Sequence, residues 1–251
     1  MKKNYILLLI TVMMLTSCNF LNAESLIKKM KPIKESGNVI TRTFALDSFN
    51  EIEVEGSPEV TIIQQKGKSE AVVKGSDNVV DALELICDDG DLKVRFKRDA
   101  NISYTKLDII VYASKLNNVD VAGSGGVTIK DVLQTKMLEC SVAGSGFIKA
   151  ESIISDRVET NVAGSGSISL EGIKSHEVEA DVAGSGVIML TGEAKKAEFD
   201  IAGSGEIKAF GLKVKKGEAD VTGSGVIECK VEKLEKEITG SGKIFNRENK
   251  E

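Results

Sequence analysis

The chain has 251 residues, a formal net charge of −5, one histidine, three tyrosines and no tryptophan. An acidic chain lacks the basic footprint that phosphate backbones require, which excludes nucleic acid as a partner. The aromatic poverty argues against a sugar-cleaving site built on ring platforms, and the length suits one elongated domain or two small ones.

Lys2 and Lys3 open the chain, and Ile6 to Leu15 form an apolar run too short to span a bilayer as a helix. The run ends in Leu15-Thr16-Ser17-Cys18, where small residues precede a cysteine in the manner of a bacterial lipobox. The expectation is a signal peptide over residues 1–17 and a lipid on the sulfur of Cys18, which anchors the mature chain stably in a membrane. Its removal leaves 234 residues with a formal charge of −7. Asn19 is not the aspartate that retains some lipoproteins at an inner membrane, so the expected address is the outer membrane, on either face. Residues 18–38 read as a polar tether. Three cysteines remain, Cys87, Cys140 and Cys229, and an odd count argues against a disulfide framework.

Strand-like alternation begins at Val39–Phe44 and recurs at Ala71–Lys74, Leu92–Phe96 and Leu107–Tyr112. Asp88-Asp89-Gly90-Asp91 predicts a hairpin turn, and 78–83 a single helical turn. From residue 123 a Gly-Ser-Gly triplet recurs at 144, 164, 184, 203, 223 and 240. Each is flanked by alternating runs, such as Thr160-Asn-Val-Ala before and Ser167-Ile-Ser-Leu after. Two residues before the first glycine stand Val121, Val142, Val162, Val182, Ile201, Val221 and Ile238. Two after the second glycine stand Ile148, Ile168, Ile188, Ile207, Ile227 and Ile244. Identical positions stacked on one another bury an interior that no single repeat could bury. The fold class expected is therefore all-β: a single-stranded parallel β-helix of about 20-residue rungs, over residues 39–246, with a charged tail at 247–251. Glu53-Val-Glu-Gly-Ser-Pro-Glu-Val-Thr-Ile62 parallels Asp120-Val-Ala-Gly-Ser-Gly-Gly-Val-Thr-Ile129, so the N-terminal half is expected to join the same scheme, for about ten rungs in all. The triplets read as corners, since a phosphate loop needs a following helix and a lysine in register, and neither is there.

Phe49-Asn-Glu-Ile-Glu-Val-Glu-Gly-Ser-Pro-Glu-Val-Thr-Ile, Asp89-Gly-Asp-Leu-Lys-Val, Leu107-Asp-Ile-Ile-Val-Tyr-Ala and the Val-Ala-Gly-Ser-Gly rungs together resemble the putative auto-transporter adhesin, head GIN domain family, over about residues 40–245. That resemblance implies a right-handed coil and an adhesin-like role. It brings no catalytic motif.

Two outward columns carry acid. Five residues before the first glycine lie Glu139, Glu159, Glu179, Glu198, Glu218 and Glu235; three before it lie Asp120, Ser141, Asn161, Asp181, Asp200, Asp220 and Glu237. Like charges one rung apart repel, and Lys136, Lys195, Lys196, Lys215, Lys216 and Lys233 stand upstream to balance them. The sharper alternative is weak calcium binding by Asp181, Asp200, Asp220, Glu198 and Glu218, since calcium accepts several oxygens in loose geometry. A polysaccharide-cleaving enzyme using the same carboxylates is the competing function, but it needs two acids in unlike environments. His176 sits at an expected corner, and no nucleophile triad, zinc set or dinucleotide loop is visible. The reading is a non-enzymatic envelope lipoprotein without a resident cofactor, whose partner is a glycan or protein at the cell surface.

Overall fold

The computed structural model describes residues 33–97 and 102–247. Cys18, the leader and the last four residues of the tail lie outside the described residues.

The rung is best seen in Arg157–Gly164 and Ser167–Lys174, two strands joined by a triplet corner. Alternation sends Val158, Thr160, Val162, Ile168, Leu170 and Ile173 inward, all buried. Both neighbouring rungs run parallel and in register: Val162 faces Val142 and Val182, and Ile168 faces Ile148 and Ile188. The molecule is an all-β solenoid of about six turns with ~20-residue rungs. Each turn bends at the triplet, again about five residues further on, and a third time at a corner such as Ser155-Asp156, where Ser155 Oγ donates to the carbonyls of Lys136 and Arg157.

The rungs differ in length, and all of the slack falls at the second bend. Register breaks there between Ile129 and Val132, Leu170 and Ile173, Met189 and Thr191, and Ala209 and Lys213. The triplet corner never slips. A Cβ placed on Gly184, whose φ is +120°, would lie 2.7 Å from the carbonyl oxygen of Gly164. The glycines thus stack backbone on backbone, and each serine N–H donates to the glycine carbonyl one rung back, as Ser185 does to Gly164 at 2.8 Å.

Ahead of the regular stack lie β1 (Ile33–Lys34), β2 (Val39–Ala45), β3 (Glu51–Gly56), β4 (Glu59–Gln64), β5 (Glu70–Ser76), α1 (Asp77–Val80), β6 (Leu83–Asp88), β7 (Asp91–Phe96), β8 (Ile102–Ser103) and β9 (Leu107–Ala113). β3 and β4 form the first rung and stack directly on residues 118–134, with Glu53 opposite Asp120 and Ile62 opposite Ile129. Residues 65–117 are not further rungs, which corrects the expectation of about ten. β5 pairs antiparallel with both β2 and β9, and only β9, beside β4, and β7 of the β6–β7 hairpin, beside β3, run parallel to the first rung. They cover the end of the coil. The hairpin turns at Asp89 and Gly90, both with positive φ (47° and 88°), the geometry of a two-residue primed turn. The stretch read as tether meets this cap early: Ile33–Lys34 pairs with Ile102–Ser103, and Glu35 accepts from the Thr105 N–H at 2.8 Å.

The far end is closed by different means. An inward column runs Cys140, Thr160, Ala180, Phe199, Ala219 and then Lys236. A charged residue at an inward position of the last rung discourages another strand from adding there. Asn246 replaces a missing strand, its amide both accepting from the Val231 N–H and donating to the Val231 carbonyl, each at 2.9 Å. Arg247 then lies over the Phe210 ring, 4.0 Å from its centre. Cys140 and Cys229 are buried free thiols of the interior columns, and burial raises both, Cys229 to about 11.

Candidate functional site

The solenoid interior is filled by side chains, so chemistry is confined to the outer faces. On one face the structure assembles the two acidic columns as the spacing predicts. Glu139, Glu159, Glu179, Glu198, Glu218 and Glu235 stand in unbroken register, as do Asp181, Asp200, Asp220 and Glu237. Strand spacing puts successive members about 4.8 Å apart.

Part of this charge is held by a residue that the spacing argument passed over. Arg157 reaches three carboxylates at once: its Nε meets Glu159, Nη1 lies 2.7 Å from Glu177 Oε2 and Nη2 lies 2.6 Å from Glu179 Oε2. The planar guanidinium can fork across two rungs where an ammonium cannot. One signal was present: Arg157 is the only arginine between residues 99 and 246, and it stands where other rungs carry Met137, Glu177 or a lysine. Of the lysines expected to balance the face, Lys196, Lys216 and Lys233 continue the column below Glu177. Lys136, Lys195 and Lys215 do not. The third bend turns them onto another edge.

Beyond Arg157 the face stays acidic, and four of its carboxylates are pushed toward the protonated form. Burial, reinforced by the charges of Asp200 and Glu179, pushes Asp181 up to about 7. Burial likewise lifts Asp120 to about 6 and raises Glu139 and Glu179 above the usual range. Neutral Ser141 and Asn161 fill the column between Asp120 and Asp181. Among the described residues no three His, Cys, Asp or Glu side chains gather so as to hold a metal ion. The five residues considered for calcium run along the axis.

A pH dependence follows. The folded pKa of Asp181 lies above the ordinary 3.8 of its unfolded value, so between about pH 4 and 7 the folded chain binds a proton that the unfolded chain does not. Its contribution to stability is therefore highest at low pH and falls as pH rises through about 7. Asp181→Asn, which extends the Asn161 position by one rung, should raise stability at pH 8 by on the order of 2 kcal/mol and change little at about pH 4. Thermal melts at the two values check this, and equal effects at both would remove proton uptake as the cause. Repeating them with millimolar calcium separates proton from cation: a rise confined to the wild type assigns calcium to this row.

The opposite character appears along the third bend. A groove of about 1300 Å³ runs there from Gln134 to Arg247. One wall is the in-register column Ile154, Lys174, Glu193, Lys213 and Lys230. The other is the corner series Lys136, Asp156, His176 and Lys195, joined rung to rung by main-chain hydrogen bonds. His176 is exposed at its corner, 3.7 Å from Asp156.

Comparison with known proteins agrees with this architecture. The model of the family described as putative auto-transporter adhesin, head GIN domain, matches residues 48–172 and 148–249. No curated protein matches the sequence. A crystal structure of a putative lipid binding protein from Parabacteroides distasonis is similar at 28% identity and a TM-score of 0.78, covering 86% of this chain and 100% of that one. A putative adhesin from Bacteroides fragilis has 24% identity and a TM-score of 0.76, with 86% and 100% covered. Another, from Parabacteroides merdae, has 22% identity and a TM-score of 0.76, with 86% and 98% covered. The last two show the fold alone.

Proposed function

The chain belongs to the putative auto-transporter adhesin, head GIN domain family, and on that premise we propose that it is a non-enzymatic binding module of the bacterial cell envelope. The observation that carries this reading is the filled interior beneath long, regular outer columns. Val54, Ile62, Val111, Ile148, Leu170 and Ile227 are each completely buried along the length of the coil, so a partner meets repeated surface chemistry and not a chamber. The solved relative named for lipid binding fits the same limit: a lipid would contact this chain from outside. Cys18 supplies the tether through its lipid, in the outer membrane, and the rungs present their columns to a glycan or protein. A polysaccharide-cleaving activity gains no support from the relatives, and the raised carboxylates have a sufficient cause in burial and mutual repulsion.

Protease treatment of intact cells, with lysed cells as control and an antibody against residues 120–240, tests the reading. Loss of the solenoid from intact cells is the expected result. Protection until lysis would retire adhesion and leave a periplasmic scaffold.

A further inference from the structure

We propose that the groove along the third bend binds an extended acidic polysaccharide, one sugar to each rung. The proposal deepens the binding-module reading and rests on it for its biological setting, but its test uses the isolated protein.

The groove is a cationic strip on an acidic chain. The groove is lined by seven lysine and arginine side chains against three carboxylates, on a chain whose formal charge is −5. Among the described residues, Lys213 approaches Glu193 at 3.5 Å, while Lys174, Lys195, Lys215 and Lys230 have no carboxylate within ion-pair distance. The cations of this edge are thus largely unneutralised, although the face across the bend has acid to spare. Cations left facing one concave strip hold counter-ions there and favour a polyanion.

It is also periodic. The walls repeat every rung, about 4.8 Å, which is close to the advance of an extended glycan chain per sugar. A lone headgroup or a free phosphate would use one rung and leave the others idle. The floor suits a flat ring: Ser155, Ala194, Val214 and Val231 are small or branched, closely packed and buried. Lysine ammoniums on flexible stems demand no fixed anion geometry, which suits carboxylates or sulfates spaced along a polymer. Asp156 and Glu193 interrupt the first half and Glu232 alone the second, so the strongest stretch runs from Lys195 toward Arg247.

Fluorescence anisotropy of labelled polygalacturonate with the detergent-solubilised full-length protein reads the interaction. Binding should weaken as salt is raised, and neutral dextran should not compete. Lys195→Glu with Lys215→Glu should weaken binding at least about tenfold, and the glutamine pair should fall between. Lys66→Glu with Lys68→Glu, on an exposed loop of the cap, should bind as wild type. Unchanged melting points for all variants would show that the fold is intact. Wild-type binding by the Lys195/Lys215 glutamate pair overturns the proposal, as does absence of binding at low salt. Tighter capture of glycerol phosphate or of a single-stranded DNA oligomer would reassign the groove to a headgroup or to nucleic acid and also overturn it.

Discussion

Phe199→Ala is expected to destabilise the solenoid by about 3–5 kcal/mol, read as a fall in melting temperature and in the denaturant midpoint. Phe199 is the largest completely buried side chain in the molecule's core. It occupies a column whose members one rung away on either side are Ala180 and Ala219. The ring fills space that two small neighbours leave, so its removal opens a void that neither alanine can reach across to close. Adding Ala219→Phe to the Phe199→Ala chain should recover a large part of the loss, because the ring then has an alanine at position 199 beside it. A loss under about 1 kcal/mol would mean that the rungs close up along the axis, contrary to the close packing that makes interiors resist volume change.

Gly184→Ala carries the second large effect, and its control is in the same chain. Gly184 and Gly67 both have strongly positive φ, +120° and +126°. A Cβ on Gly67 meets nothing within 4 Å, whereas on Gly184 it meets the Gly164 oxygen at 2.7 Å. Gly67→Ala should therefore cost only the conformational strain, about 1–2 kcal/mol. Gly184→Ala should cost clearly more, by about 2 kcal/mol, because the contact is backbone against backbone and no side chain can swing aside. Equal losses in urea melts would show that the rungs spread to admit a methyl group.

Much of this architecture was legible because the repeat writes the same instruction many times. Val162 and Ile168 could be placed inside from alternation, and their partners from the triplet spacing. The match of Glu53–Ile62 to Asp120–Ile129 became a pair of neighbouring rungs. The cap was not legible, since alternation of period two reads alike in parallel and antiparallel strands: Val72 and Val73 look like rung residues but pair antiparallel to β2 and β9. The acidic columns were foreseen and their guanidinium clamp was not, because Arg157 reaches forward twenty and twenty-two residues to Glu177 and Glu179. The groove escaped for a related reason. Its lysines are interleaved in the chain with those of the acidic face, as Lys195 beside Lys196 and Lys215 beside Lys216. A single residue of offset across the bend decides which face each serves.

The confinement of all length variation to one bend has a consequence for how such a chain changes over generations. Duplicating residues 165–184 in frame would add one coil without disturbing the triplet stack, the cap or the Asn246 closure. A gain or loss of one to three residues at the second bend, already present between rungs, would be absorbed where it occurs. The reach of the molecule is then a heritable length set in steps of about 4.8 Å.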